Sequence, residues 1–107
     1  MERTHTPIND LIRNNAYINK EIIAKGWVKT KREKKSIHFI ALNDGSTIHN
    51  IQIVVEVNKF DPELLKSINT GASISVKGKL VESMGKNQSV EIQAKEINLY
   101  GKADPDR

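Results

Sequence analysis

From residue 73 to residue 80, Ile74, Val76, Gly78 and Leu80 alternate with Ser73, Ser75, Lys77 and Lys79. A period of two places the first set on one face of an extended chain and the second on the other, so this stretch predicts a strand with one buried face. The alternation returns at Val90, Ile92 and Ala94 and slips by one before Ile97 and Leu99. One extra residue in a fifth strand, a β-bulge, accounts for the slip. Upstream, the branched-rich segment Ile22 to Arg32 predicts a first strand, with Gly26 in its interior where a strand would bulge or bend. Ile37 to Asn43 predicts a second strand and Ile48 to Glu56 a third. Asn43-Asp44-Gly45-Ser46, residues that tolerate left-handed backbone, would join these two as a hairpin.

Two short helices punctuate the strands. Thr6-Pro7 ahead of Ile8, Leu11 and Ile12 predicts a capped helix over about 7–13, with proline at the first turn where its missing N–H costs nothing. Asp61-Pro62-Glu63, then Leu64, Leu65 and Ile68, closed by Thr70-Gly71, predicts a second helix over 62–68. Residues 102–107 are polar and contain proline, and read as the start of a linker after a domain spanning 1–101. Three strands, a helix and two strands are the order of the all-β, five-stranded Greek-key barrel called the OB-fold. A small SH3-like barrel is the competing architecture; it would lack the helix at 62–68 and have shorter, more even strands. The fold alone selects no function.

A chain of 107 residues buries roughly two thirds of its unfolded surface, enough for one domain without disulfide or metal. Cysteine is absent, which removes disulfides, thiolate metal sites and thiol nucleophiles together and fits a reducing compartment. No basic-then-apolar leader opens the sequence and no apolar run approaches the ~18 residues of a membrane span, so a cytoplasmic location without membrane attachment is expected. Seventeen Lys and Arg against thirteen Asp and Glu leave a charge of +4, which favours an anionic partner. Six of those cations, Lys25, Lys29, Lys31, Arg32, Lys34 and Lys35, fall within eleven residues and are opposed only by Glu33. Such a cluster can hold phosphates, yet lysines on exposed strands also guard against edge pairing, and composition leaves the two readings even.

If Ile51, Ile53 and Val55 point inward, Asn50 and Gln52 point outward. If Ile40 and Leu42 are core, Phe39 shares that outer face. An exposed ring stacks on any base, and an amide beside it can donate and accept toward a base edge, so the pair could form a single-base pocket. The opposite phase, with Ile37, Phe39 and Ala41 inward and His38 outside, fits the second strand equally well, because it is apolar on both sides. Trp27 and Tyr100 read as packing residues, and Tyr17 and Phe60 as covers for the barrel ends. His5, His38 and His49 lack ligand spacing, so no metal is assigned. No phosphate loop or catalytic constellation is present, and the 107 residues by themselves are expected to be non-catalytic.

Gly26-Trp27-Val28-Lys29-Thr30-Lys31-Arg32-Glu33, Phe39-Ile40-Ala41-Leu42-Asn43-Asp44-Gly45-Ser46, Ile51-Gln52-Ile53-Val54, the run from Thr70 to Ser83, and Glu91-Ile92-Gln93-Ala94 together resemble the N-terminal anticodon-binding domain of class IIb aminoacyl-tRNA synthetases. Within that class the text is most similar to the asparaginyl branch, on the Asn-Asp-Gly-Ser turn and the fourth strand. The resemblance covers Ile8 to Asp106. It implies that Arg32, Phe39 and Gln52 surround the middle uridine of an anticodon: Phe39 by stacking, Gln52 by hydrogen bonding to the uracil edge, Arg32 by contact with base or phosphate. Lys29, Lys31, Lys34 and Lys35 would hold the backbone, and the loops after the first strand and at 83–89 would meet the outer bases. Asparagine, aspartate and lysine tRNAs share that uridine, so an aspartyl- or lysyl-type domain is the alternative, as is a non-specific single-strand-binding OB protein or a protein-interaction OB domain. His38 departs from the small or apolar residue the resemblance leads one to expect. It further implies that catalysis, with ATP, magnesium and asparagine, and a homodimeric assembly belong to a longer parent ligase whose catalytic domain would follow Arg107.

Overall fold

The computed structural model describes residues 6–13, 15–82 and 90–101; the expected linker at 102–107 and the loop at 83–89 lie outside them. Five strands, β1 (Glu21–Glu33), β2 (Ile37–Asn43), β3 (Ile51–Glu56), β4 (Ser73–Glu82) and β5 (Val90–Gly101), close into a barrel in the order β1-β2-β3-β5-β4. This is the expected OB architecture, with helix α1 (Ile8–Arg13) before β1 and helix α2 (Pro62–Ser67) between β3 and β4. Closure depends on the length of β1. Its first half, Glu21 to Trp27, pairs with β4, and its second half, Trp27 to Glu33, pairs with β2. A short parallel pairing of β3 with β5, Gln52–Glu91 through Val54–Gln93, completes the circle.

The inward phase is as the alternation predicts: Ile40, Leu42, Ile51, Ile53, Val55, Ile74, Val76, Leu80 and Ile92 are buried, joined from the helices by Ile8, Leu11 and Leu65. The slip in β5 is a register shift against Lys77 and Gly78 that leaves Lys95 as the extra residue. A Cβ on Gly78 would lie 2.9 Å from the Gln93 carbonyl carbon and 3.0 Å from the Ala94 Cα. Glycine therefore stands where the β5 backbone crowds β4.

Three local expectations are corrected. The bulge in β1 falls between Val28 and Thr30, not at Gly26, where pairing with β4 is regular. The third strand begins at Ile51, not Ile48, which is 92% exposed. Buried Asn43 explains the delay. Its amide donates to the carbonyls of Thr47 and His49 and to Asn50 Oδ1, and its own oxygen accepts from the Gly45 N–H, so the connection folds around one side chain instead of extending the ladder. Gly45 takes the left-handed conformation the turn requires, at φ 84°. Finally, the N–H groups of Ile8 and Asn9, which a Thr6 cap on α1 would accept from, donate instead to Asp44 Oδ2 and Ser46 Oγ across the barrel end, while the Thr6 N–H itself donates to Ile23 O. For α2 the expected cap is present, with Asp61 Oδ1 accepting from Glu63 N and Pro62 at the first position.

Asp44 thus joins α1 to the β2–β3 turn, since its other oxygen accepts from the Ser46 N–H and hydroxyl. Partial burial pushes its pKa up, but the Ser46 hydroxyl and the Ile8 and Ser46 N–H groups outweigh that, and the carboxyl sits below its ordinary value. A depressed folded pKa contributes stability above the unfolded value and loses it as pH falls through the folded one. Asp44→Ala is expected to cost about 1–2 kcal/mol at neutral pH, and the gap from wild type should close in acid below about pH 4. Denaturant melts of both proteins at neutral and acid pH check this; an unchanged gap would show that the charge is not involved.

Candidate nucleic-acid interface

The registers bring one outer surface together from four strands. Arg32 pairs with Phe39, Phe39 with Val54 and Val54 with Gln93; the neighbouring row runs Thr30, Ala41, Gln52, Glu91. Between the rows, Ile40, Ile53 and Ile92 turn into the core. With Ile40 and Leu42 buried, Phe39 takes the outward phase, half-buried, diagonal to Gln52 at the ~7 Å typical of such pairs. His38 takes the opposite phase, opposite Val55 at the barrel rim, where its Nδ1 is buried without a hydrogen-bond partner. The ring and amide proposed from alternation therefore do share one face, and Arg32 shares it too.

The Arg32 guanidinium carbon lies 5.4 Å from the centre of the Phe39 ring, a cation–π contact. A flat base stacked between them would need about 3.5 Å on each side, about 7 Å in all. Arg32 therefore covers the ring, and a base reaching Phe39 has to displace the guanidinium outward. The Gln52 amide nitrogen donates to Glu91 Oε1 at 3.4 Å. Beyond Val54 and Gln93 the face continues into a cleft of about 130 Å³ lined by Val54, Glu56, Lys59, Gln93, Ala94 and Lys95.

The basic cluster divides. Lys29, at the β1 bulge, and Lys34 and Lys35, in the following turn, are exposed and, among the described residues, form no ion pair. Lys31, expected among the phosphate-holding lysines, is placed differently from them. It shares the inward phase of Ile40, its side chain is 8% exposed, and its amine donates to Leu65 O at 2.6 Å while pairing with Glu33 at 3.0 Å. The hydrogen bond that the Lys31 amine donates to Glu33, together with its charge, holds the Glu33 carboxyl below its ordinary value. Lys31 closes the C-terminal end of α2 over the barrel, a structural duty that leaves its charge facing away from the Phe39 surface.

Trp27 and Tyr100, expected to pack, are 39% and 64% exposed. Tyr100 receives Lys25 Nζ 5.8 Å from its ring centre. Tyr17 and Phe60 do pack against the core. Sequence reasoning overlooked Glu91 as a member of the surface. Alternation in the fifth strand marks it as outward, but its neighbour Gln52 is set by the parallel β3–β5 pairing between residues 39 apart, which no local pattern encodes. The loop 83–89, expected to meet outer bases, lies outside the described residues. Among the described residues no three His, Cys, Asp or Glu side chains gather where a metal ion could be held, and no helix is long and apolar enough to cross a membrane.

Residues 22–100 match the tRNA anti-codon family, an OB-fold nucleic acid binding domain. The chain belongs to this family. Beyond that match, the OB-fold domain is 57% identical to an asparagine–tRNA ligase of Parabacteroides distasonis over 94% of its length and 51% identical to one of Cytophaga hutchinsonii over 92%. It spans about a fifth of those relatives, 21% and 22% of their lengths. In three dimensions it is similar to the asparaginyl-tRNA synthetase of Pyrococcus horikoshii complexed with asparaginyl-adenylate, with a TM-score of 0.80 at 16% identity, over 95% of this chain and 23% of that one. At such low identity this likeness speaks for the fold of the OB-fold domain alone.

Proposed function

We propose that this OB-fold domain reads the anticodon of asparagine tRNA on behalf of an asparagine–tRNA ligase, taking up the middle uridine on the Phe39–Gln52 face. The observation that carries the reading is the convergence of Phe39, Gln52 and Arg32 on one outer surface from three different strands. In the proposed mechanism the unpaired base displaces Arg32 from the ring, stacks on Phe39 and is hydrogen-bonded at its edge by the Gln52 amide. Released from the ring, Arg32 is free to pair with a phosphate, and Lys29, Lys34 and Lys35 hold the backbone leading away. The domain contributes selection by binding. ATP, magnesium and asparagine would act in the remainder of a cytoplasmic, homodimeric parent.

The names of the 57% and 51% identical relatives support asparagine as the amino acid. The test is a titration of the domain with the asparagine-tRNA anticodon stem-loop and with an unrelated loop at two salt concentrations. Preference for the uridine-centred loop is expected, with a log–log salt slope of about −2 to −3 for three or four neutralised phosphates. Equal affinity for both loops would instead mean non-specific single-strand binding, and no binding to either loop would point to a protein partner.

A further inference from the structure

We propose that the cleft between β1 and β5, across the outer face of β4, is a second nucleotide-binding site, in which Tyr100 stacks the base and Lys25 takes its phosphate. The strand order sets β4 apart from both β2 and β3, so this surface is separate from the one that carries Phe39 and Gln52. Ser75 pairs with Lys25 on one side and with Asn98 on the other. It faces outward between buried Ile74 and Val76, yet it is only 6% exposed, because taller side chains stand on both sides of it. The result is a cleft of about 180 Å³ with Ser75 as its floor, Ile23 and Lys25 as one wall, and Asn98 and Tyr100 as the other. Lys77 and Glu96 close one end. Lys77 is paired with Glu21 at 3.4 Å and stands opposite Glu96 in the ladder, so its charge is already answered. Lys25 forms no ion pair among the described residues, and its amine rests 5.8 Å from the centre of the Tyr100 ring.

Each part of a nucleotide finds its counterpart here. A tyrosine ring that is 64% exposed stacks on any base, an unpaired ammonium holds a phosphate, and an amide such as that of Asn98 can donate to N7 and accept from N6 of adenine. An acidic peptide would use Lys25 and leave the ring and the amide idle. The dimensions agree. With strands about 4.8 Å apart, the walls on β1 and β5 stand about 9–10 Å from each other, and a flat base with contact on both faces needs about 7 Å. The four-carbon stem of Lys25 lets its amine swing from the ring to a phosphate while the ring stays in place. The inference does not rest on the anticodon reading.

The test is amide NMR of the isotope-labelled chain titrated with adenosine monophosphate up to millimolar concentration. The amides of Lys25, Ser75, Asn98 and Tyr100 should shift and saturate, and the same spectra read Phe39 and Gln52 separately. Tyr100→Ala should weaken this binding by about fivefold or more, and Tyr100→Phe should keep it. Lys25→Gln should weaken it by about threefold to fivefold while leaving the binding of adenosine, which lacks the phosphate, unchanged. An adenylate trinucleotide that binds several-fold tighter than the monophosphate identifies the natural ligand as a single strand, and equal affinity identifies it as a free nucleotide. Unmoved amides in the cleft overturn the proposal, as do shifts that survive Tyr100→Ala undiminished. A short acidic peptide that shifts the same amides as strongly as the nucleotide also overturns it, and marks a protein contact held by the charge of Lys25.

Discussion

Gly26→Ala is expected to destabilise the domain by about 3 kcal/mol or more, enough to leave a substantial unfolded population in a protein whose total stability is of the order of 5–15 kcal/mol. Gly26 pairs with Ile74 one residue before β1 passes from β4 to β2. At that point the β2 terminus crosses it closely: a Cβ on Gly26 would lie 2.8 Å from the carbonyl carbon of Asn43, closer still to its oxygen, and 3.3 Å from Asp44 N. These are backbone atoms, and they cannot rotate away as a side-chain tip would. Asn43 is itself fixed, because its amide organises the whole 44–50 connection and Asp44 in turn holds α1. A methyl group would have to open the crossing and disturb all of these contacts together. Urea unfolding checks the size of the effect. A loss below about 1 kcal/mol would mean that the crossing is soft and that Gly26 is an ordinary strand glycine.

Phe39→Ala should weaken binding of the uridine-centred stem-loop by between about fivefold and about 150-fold, which is the loss of one base-stacking contact of about 1–3 kcal/mol. The barrel should survive, since Phe39 lies on the outer surface and its inward neighbours Ile40 and Leu42 are untouched. Phe39→Tyr, which keeps a flat ring, should restore most of the affinity, whereas Phe39→Leu, apolar but without an aromatic face, should not. Fluorescence anisotropy with labelled stem-loop reads all three variants, and circular dichroism confirms their fold. Retained affinity in Phe39→Ala would remove the stacking platform from the proposed mechanism. Its ring would then serve only as a rest for Arg32.

Element order, the inward phase of β3, β4 and β5, the bulge in β5 and the cap of α2 were legible because each rests on residues within a few positions of one another. Alternation of period two requires only a chain and one wet face, and the pair Asp61-Pro62 carries its own helix start. The same local logic misplaced the β1 bulge and assigned the α1 cap to Thr6, because Asp44 and Ser46, which perform that task, are 36 and 37 residues from their partners. It also left the phase of β2 open, since both of its faces are apolar.

What the sequence alone determined is the set of strands and helices and a surplus of positive charge beside them. It also supplied an aromatic and an amide able to share a face, and a resemblance that says what such a face is for. Only the closed barrel decided that Phe39 lies outside under Arg32, that Lys31 is spent on Leu65 and Glu33, and that Glu91 stands beside Gln52. The physical reason is common to all three. A side chain's face follows from its own strand's alternation, but its neighbours across the sheet follow from closure, and in this fold closure joins a parallel pair, β3 and β5, that lie far apart along the chain.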